Sequence, residues 1–381
     1  MSKENKLTVA FSGDIAFSKY YKDRCGVKDL VDPEIVSYLN SADHAVLNVE
    51  GAISPPPPAG LFIHTNNPLC IDWLNKLGGD VYMLANNHMF DAGTDGFLFT
   101  KNVAKENNVK TIGAGLTVKE AAAPVYFPEA GGIGMFGMGY AGECKRSGKE
   151  SPGTLNWNQD DAIKSTIAEI KKTCRWCVAV IHAGVEFCDI PMGDVRAQYL
   201  KFLNWGVDII VAHHPHIPQN YELFENGKAI FYSLGNFIFD TDYQRTQERT
   251  DTGILLKLTF TEKDFSMDAL AVHIDRTDGH VTPTALPTIF CDLHEPDYDV
   301  LLPLVAEKFI YRDKNRRMYL SPDKYSEKTT DAEWKDYFET RGKKYAPVKV
   351  ILDQYARGVP KTFDPKYDAL VAYIKEKTVR P

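Results

Sequence analysis

Residues 208–216 read DIIVAHHPH, an apolar run that ends directly in three histidines around a proline. The run Asp208–Ala212 has the length and β-branched content of a buried strand. His213, His214 and His216 follow at the point where such a strand would end. Three imidazoles on one short loop have little structural purpose, so this stretch predicts a polar site at the carboxyl end of a strand.

Short β-rich runs alternate with amphipathic stretches from Leu7 to Leu234, which is typical of βαβ units and a mostly parallel sheet in an α/β fold. The other predicted strands are Leu7–Ser12, Ala45–Val49, Val81–Ala85, Ile133–Met138, Cys177–Ile181 and Ala229–Leu234. The predicted helices are Pro33–Asn40, Ile71–Leu77, Asp95–Glu106, Asp160–Lys172 and Asp194–Asn204.

Polar residues follow five of the predicted strands. In chain order they are Asp14, Asn48 with Glu50, Asn86 with Asn87 and His88, His182, and His213 with His214 and His216. Because the carboxyl ends of parallel strands meet at one edge of a sheet, we expect one site there. Its acid, amide and imidazole groups suit divalent Mn, Fe or Zn, with one or two ions per chain.

Each of these residues also has an ordinary structural interpretation. A single buried His or Asp is more often a hydrogen-bonded structural residue than a metal ligand. Asp14 could cap the helix that follows it, and Asn86 and Asn87 are typical of tight turns. The convergence of five segments on one edge favours the site over these separate explanations.

Composition narrows the class of protein. The 381 residues are 44% hydrophobic and carry a net charge of −7, so they can supply a substantial core but show no basic stripe for nucleic acid. Seven scattered cysteines argue against a disulfide framework. The polar start, Met1 to Leu7, and the lack of a long apolar run predict a cytoplasmic protein with no membrane segment.

The pattern of apolar and polar residues changes after Asn236. Gly253–Phe260 and Ala269–Ile274 alternate like antiparallel strands, and from Asp297 onward the chain is helical in pattern and rich in lysine. We therefore predict a main domain over residues 1–290 and a mostly helical extension over residues 291–381.

The polar segments form an ordered set of short motifs. They are GD at 13–14, NVEG at 48–51, ANNH at 85–88 with Asp91, HAGVE at 182–186, HHPH at 213–216 and YSLGNF at 232–237. This set resembles the CapA family of poly-γ-glutamate capsule-synthesis proteins, a branch of the calcineurin-like metallophosphoesterase superfamily. The resemblance covers residues 7–260 and implies a four-layer α/β/β/α sandwich with a two-metal centre at the strand ends.

The resemblance also implies a role for each matching residue. The implied metal ligands are Asp14, Glu50, Asn87, His182, His214 and His216. His88 is implied to protonate or stabilise the leaving group, and Asp91 could orient it through a hydrogen bond. Residues expected to bind substrate or support the ligands are Asn48, Glu186, His213 and Asn236.

Two departures from the superfamily pattern leave the metal content open. The usual Asp-x-His reads Asp14-Ile15-Ala16 here, and Glu50 replaces an Asp. The first ion site is therefore weak, completed by Glu186 or water, or empty.

Three functions remain open from the sequence. The leading one is a metal-dependent hydrolase or transferase acting on a phosphoryl ester, or on a polyglutamate or other carboxylate-rich peptide. The missing histidine motivates an alternative, a metal-independent epimerase or isomerase that uses the same acids and bases. A third possibility is a non-catalytic binding protein for an anionic polymer, which the acidic balance of the chain disfavours.

Overall fold

A computed structural model of the chain describes residues 5–55, 64–298, 301, 313–314, 316–318 and 321–340. All of the predicted strands and helices up to Leu234 are present, with ends that differ by a few residues. Two short 3-10 turns, Lys19–Tyr21 and Pro68–Cys70, accompany them. Among the described residues, no helix has both the length and the apolar character that crossing a membrane requires.

The strands of the described residues are numbered in chain order. They are β1 Leu7–Ile15, β2 His44–Val49, β3 Ala52–Ile53, β4 Thr65–Asn66, β5 Gly79–Met83, β6 Lys110–Ile112, β7 Ala114–Gly115, β8 Val125–Phe127, β9 Ile133–Gly139, β10 Gly153–Thr154, β11 Trp176–His182, β12 Ile209–His213, β13 Tyr221–Phe224, β14 Lys228–Phe231, β15 Asn236–Ile238, β16 Thr252–Phe260, β17 Phe265–Ile274 and β18 Val281–Thr284.

The helices begin and end at residues that suit these positions. They are α1 Pro33–Asn40, α2 Ile71–Lys76, α3 Gly93–Glu106, α4 Val118–Ala121, α5 Asp160–Ile170, α6 Gly193–Trp205, α7 Asp242–Arg245 and α8 Asp331–Thr340. Asp32 caps α1 by accepting the backbone N–H of Glu34 at 2.8 Å, with Pro33 at the first helical position. At the end of α6, Gly206 adopts a φ of 117°, which a residue with a Cβ rarely adopts.

Two large sheets form the centre of the molecule. The first has the order β18-β17-β16-β1-β2-β5-β6, with β15 paired to β1, and the second has the order β13-β14-β12-β11-β9-β8. In both sheets the central pairs are parallel, as the βαβ pattern predicts. Edge strands β8, β13 and β18 pair antiparallel with their neighbours, whereas β6 pairs with β5 in parallel. Strands β16 and β17 are also antiparallel, which confirms the alternation seen in the sequence.

Alternating side chains of β1 show how the layers stack. Val9 and Phe11 point into the apolar core between the two sheets, and Ala10 points to the opposite face. In β11 the same alternation places Val178 in the core between the sheets and Ala179 on the outer face. Both sheets are therefore buried on two sides.

Helices cover the two outer faces of the sheets. Residues of α1, α2 and α3 pack with Ala10 against the first sheet, and residues of α5 and α6 pack with Ala179 against the second. The result is the four-layer α/β/β/α sandwich, and the polar ends of β1, β2, β11 and β12 lie along one edge of it.

The described part of the C-terminal region packs on the second sheet. Tyr221 at the edge strand exchanges backbone hydrogen bonds of 3.0 Å with Cys291 and Leu293. Trp334 of α8 is buried in the same apolar cluster as the outer face of this sheet. Helix α8 agrees with the expected helical extension, most of which lies outside the described residues, and the boundary between residues 290 and 291 stays a prediction.

Close backbone packing holds Asn236 against the end of β1. Asp14 and Asn236 are register partners in the parallel pair β1 and β15, and Gly235 forms a bridge with Gly253 of β16. A Cβ atom at Gly253 would overlap the carbonyl oxygen of Asn236. The approach of these backbones therefore requires glycine at position 253.

Gly253→Ala is expected to destabilise the fold, because the new methyl group must displace the backbone of Asn236. The expected loss is about 1–3 kcal/mol in the free energy of unfolding, measured by urea denaturation. Gly26→Ala is the matched control, since a Cβ at Gly26 meets no atom within 4 Å. Equal unfolding midpoints for both variants and the unaltered chain would contradict this packing.

Candidate metal centre

The strand ends bring the predicted site residues together. Asp14 is the second-last residue of β1, Glu50 follows β2, and Asn87 lies on the loop after β5. From the second sheet, His182 ends β11 and His213 ends β12, with His214 and His216 next along the chain. All of these side chains except Asn87 are buried, as is that of Asn48.

The side-chain amide of Asn48 links the two sheets at this point. Its Nδ2 lies 2.6 Å from Oδ1 of Asp14 and 3.2 Å from Nδ1 of His182. Asp14 comes from the first sheet and His182 from the second, so Asn48 fixes the distance between a carboxylate and an imidazole of different strands.

His182 directs its other ring nitrogen toward further candidate ligands. Its Nε2 lies 3.0 Å from Oδ1 of Asn87 and 3.2 Å from Nδ1 of His214. Two polar atoms within hydrogen-bonding distance of one imidazole nitrogen form a tight cluster of lone-pair donors.

Glu50 is buried at the centre of three imidazoles without a hydrogen bond. Its Oε1 lies 3.9 Å from Nε2 of His88, 3.8 Å from Nε2 of His182 and 3.7 Å from Nε2 of His216. Neither carboxylate oxygen of Glu50 has a hydrogen-bond partner among the described residues. A buried carboxylate in this condition is costly unless a positive group compensates it.

Neighbouring amides hold the backbone around Glu50 in place. Asn86 accepts the N–H of Gly51 at 3.0 Å and donates to the carbonyl of Val49 at 2.8 Å. Asn66 donates to the carbonyl of Glu50 itself at 3.0 Å. The buried carboxylate is therefore positioned by the fold on both sides.

The donor set fits a divalent cation. One ligand atom each of Asp14, Glu50 and His182 lies within 4.8 Å of the others, and all three residues are buried. Carboxylate and imidazole together suit Mn, Fe or Zn. The residues present could therefore hold an ion, which would supply the positive charge that Glu50 lacks.

The histidine loop adopts an unusual backbone conformation. His214 has a φ of 95° and His216 a φ of 57°, both in the region that favours glycine. The loop is held by the N–H of Phe187, which donates to the carbonyl of Pro215 at 2.7 Å. Strain of this kind persists where the surrounding structure enforces it, and it is concentrated at functional sites.

His216 contacts both sides of the site. Its Nδ1 lies 3.1 Å from Oδ2 of Asp14 and 3.0 Å from Oδ1 of Asn236. The amide nitrogen of Asn236 donates in turn to Gln244 and to the carbonyl of Thr250, at 2.9 and 2.7 Å. Asn236 therefore contacts His216 and is itself held by two hydrogen bonds; its supporting role stays a prediction.

His213 of the second sheet faces the carboxylate of Asp14. Its Nδ1 is buried without a hydrogen bond among the described residues, 3.7 Å from Oδ1 of Asp14. Ala16, two residues after Asp14, is buried and contributes a backbone N–H to Ile238 at 2.7 Å. An imidazole thus faces Asp14 from the second sheet instead of from position 16.

His88 and Asp91 form a hydrogen-bonded pair at the edge of the site. Nδ1 of His88 lies 2.8 Å from Oδ2 of Asp91, which leaves its Nε2 facing Glu50. The same oxygen of Asp91 accepts the backbone N–H of His64 at 3.1 Å, and the His64 ring packs against His88 with centroids 4.4 Å apart. Sequence reasoning missed His64, because it follows no predicted strand.

Two acids at the periphery differ from the central pair. Oε2 of Glu143, on the loop after β9, lies 3.2 Å from Nε2 of His214, a contact that the sequence did not indicate. Glu186, expected as a possible replacement ligand, is instead engaged with Arg316 at 2.8 Å. Both acids are partly exposed, whereas Asp14 and Glu50 are not.

Burial controls the charges of the metal-free site. Burial raises the pKa of Glu50 to about 7, against the opposing effect of His216. Burial is the largest single influence on Asp14 and would raise its pKa, but the hydrogen bond with His216 and the charges of His216, His213 and His214 together lower it. Burial and the neighbouring histidines lower the pKa of His182, which keeps its imidazole neutral as metal binding requires.

Comparison with known proteins finds one matching family and two similar proteins. The profile of the family described as bacterial capsule synthesis protein PGA_cap matches residues 8–241. Capsule biosynthesis protein CapA of Bacillus anthracis is 32% identical over 262 residues, which cover 65% of this chain and 63% of that protein. PGA biosynthesis protein CapA of Bacillus subtilis (strain 168) is 28% identical over 279 residues, 71% of this chain and 73% of that protein. The chain thus spans less than two thirds of the first of these relatives.

Glu50→Gln is expected to stabilise the metal-free protein while weakening metal binding. The amide removes a buried charge that has no hydrogen bond, worth about 1–3 kcal/mol. Melting temperatures in chelator and in excess Mn²⁺ would separate the two effects: the variant melts higher than the unaltered chain in chelator and gains less from the ion.

Glu222→Gln is the control for this comparison. Glu222 is equally buried but accepts hydrogen bonds from Arg196 at 2.8 and 3.0 Å and from Tyr232 at 2.6 Å. Its replacement is expected to lower the melting temperature under both conditions. A Glu50→Gln variant that is also less stable in chelator would show that the carboxylate is compensated by the protein itself.

Proposed function

This chain belongs to the bacterial capsule synthesis protein family PGA_cap, and we propose that it is a metal-dependent hydrolase or transferase that acts on a poly-γ-glutamate chain. The observation that carries the proposal is the buried carboxylate of Glu50, which faces three imidazoles and has no hydrogen bond among the described residues. A divalent cation is the group that such an arrangement accommodates.

The names of two relatives support the proposed substrate class. The Bacillus subtilis relative is named for biosynthesis of PGA, and the Bacillus anthracis relative for capsule biosynthesis. Poly-γ-glutamate carries one free carboxylate per residue, so it is a polyanion. A cation held by the site would attract it despite the net charge of −7 of this chain.

Seven residues would hold the metal. They are Asp14, Glu50, Asn87, His182, His213, His214 and His216. His213 joins the six expected ligands because its buried Nδ1 faces Asp14, where the superfamily histidine is missing. When bound, the metal supplies positive charge that stabilises developing negative charge and lowers the pKa of water.

His88 would move the proton at the leaving group. Its hydrogen bond to Asp91 fixes the ring and leaves Nε2 directed into the site, toward Glu50. The His64 ring packed against it restricts rotation of the imidazole. His88 thus has a fixed orientation, and its side chain is 21% exposed, more than those of His182, His213, His214 and His216, as a residue that must reach a substrate requires.

A metal-independent acid/base enzyme is the second candidate. Its support is Ala16, which leaves the first motif without its histidine. The same carboxylates and imidazoles could then abstract a proton next to a carbonyl group. Activity that survives exhaustive chelation, with solvent deuterium incorporated at an α-carbon, would favour this candidate over the metal-dependent one.

The cytoplasmic location expected from the sequence stays a prediction.

His88→Ala is expected to retain the metal but lose turnover, because His88 moves a proton and is not needed to hold the ion. Metal content by elemental analysis, together with cleavage or transfer of γ-linked oligoglutamate, measures both properties. A loss of about 100-fold or more in kcat is expected for a general acid. A phosphodiester assayed in parallel would detect phosphoryl transfer.

His44→Ala is the matched control for His88→Ala. His44 also pairs with an aspartate, Asp80, but lies at the opposite end of the strands, at the start of β2. This variant is expected to retain both metal and turnover. Full activity in His88→Ala would remove His88 from the mechanism, and loss of metal in that variant would make it a ligand instead.

A further inference from the structure

Arg316 reaches the site from the C-terminal part of the chain, outside the region that matches the family. Its Nη1 donates to Oε2 of Glu186 at 2.8 Å. Glu186 lies on the loop that begins at His182, and the next residue, Phe187, is bonded through its backbone to Pro215 of the histidine loop. The guanidinium thus binds the loop after His182, which is itself hydrogen-bonded to the histidine loop.

A series of aromatic rings lies between the guanidinium and His216. Arg316 lies 5.7 Å from the centroid of the Tyr243 ring, and Tyr243 is 5.5 Å from the ring of Phe187. Phe187 is 6.0 Å from the ring of His216. Rings of this kind support a guanidinium through its face and leave its N–H groups pointing outward in the plane.

The guanidinium retains donors for a ligand. Arg316 makes one hydrogen bond to the described residues, and 41% of its side chain is exposed. A guanidinium has five N–H groups in a fork that matches a carboxylate. One donor holds Glu186, and the others can bind an anionic group that approaches from solvent.

Other arginines near the site are engaged differently. Arg249 pairs with Asp189, and Arg245 pairs with Asp240 at 2.8 Å. Both of these aspartates are almost fully buried, so their arginines compensate internal charges. Arg316 differs because its partner, Glu186, is itself partly exposed.

Electrostatics require a positive group at this rim. Glu143, which contacts His214, and Glu186 place two negative charges beside the site. A polyanionic substrate would be repelled by them unless a cation offsets the charge. From these observations we infer that Arg316 binds a free carboxylate of the substrate chain at the rim of the site, and so selects for a chain that carries free carboxylates; this rests on the proposed function.

Binding of two matched oligomers to the manganese-loaded protein tests this assignment. One is γ-linked oligoglutamate, and the other is the same oligomer with its free carboxylates converted to amides. Arg316→Gln is expected to raise the Kd for the acidic oligomer roughly tenfold and to leave the Kd for the amidated oligomer unchanged. Arg316→Lys, which keeps the charge but not the fork, is expected to fall in between.

Arg175→Gln is the matched control. Arg175 is a partly exposed arginine over the ring of Trp176, at 4.1 Å, with Asp208 at 3.9 Å, but it lies at the opposite end of β11. The Arg175→Gln variant is expected to bind both oligomers with the same Kd as the unaltered chain. Equal weakening of both oligomers by Arg316→Gln would show a structural role, and no weakening would show no role; either overturns the inference.

Turnover of the acidic oligomer separates this inference from the proposed function. Binding that depends on Arg316 without any cleavage or transfer would support the inference and contradict the function. Cleavage by the unaltered chain, with an unchanged Kd in Arg316→Gln, would support the proposed function and contradict the inference. If the unaltered chain binds neither oligomer, both are overturned.

Discussion

Two carboxylates buried in one site, Asp14 and Glu50, impose the constraint around which the other groups are arranged. Asp14 is compensated within the protein by the amide of Asn48 and the imidazole of His216. Glu50 is compensated only in part by His216, since its oxygens have no hydrogen bond among the described residues and the nearest imidazole nitrogens are 3.7–3.9 Å away. Burying like charges together is unfavourable, so the metal-free protein holds an arrangement that a cation would stabilise.

The four-layer fold supplies the rigidity that this arrangement needs. The parallel centres of the two sheets end at the same edge, and the apolar layers on both sides of each sheet fix the strand ends. His214 and His216 can then be held at positive φ, a conformation that a looser loop would relax. Apolar packing remote from the site therefore maintains its strained and charged parts.

The pattern of strands followed by polar residues was enough to predict most of the site. Asp14, His182 and His214 could be placed because each follows an apolar run of strand length, and the topology of α/β sheets fixes where such residues meet. The sheets were predicted for the same reason, although the antiparallel edge strands β8 and β13 were not, because runs of three or four residues carry too little periodicity.

Other parts of the site could not be read from local sequence. His64 and Glu143 lie on loops, where no periodicity indicates which way a side chain points. Arg316 comes from a lysine-rich region with no motif, and only tertiary packing brings it to Glu186. His213 was expected to support its neighbours, and its orientation toward Asp14 depends on how the two sheets face each other.

Anomalous X-ray diffraction from crystals grown with Mn²⁺ tests most directly whether the buried carboxylates form a metal centre. The account predicts an anomalous peak for a Mn²⁺ ion that is bound by Glu50, with Asp14 or His182 among the other ligands of the ion. Absence of a peak at this position in crystals that bind Mn²⁺ elsewhere, with Glu50 hydrogen-bonded to protein groups instead, would contradict it.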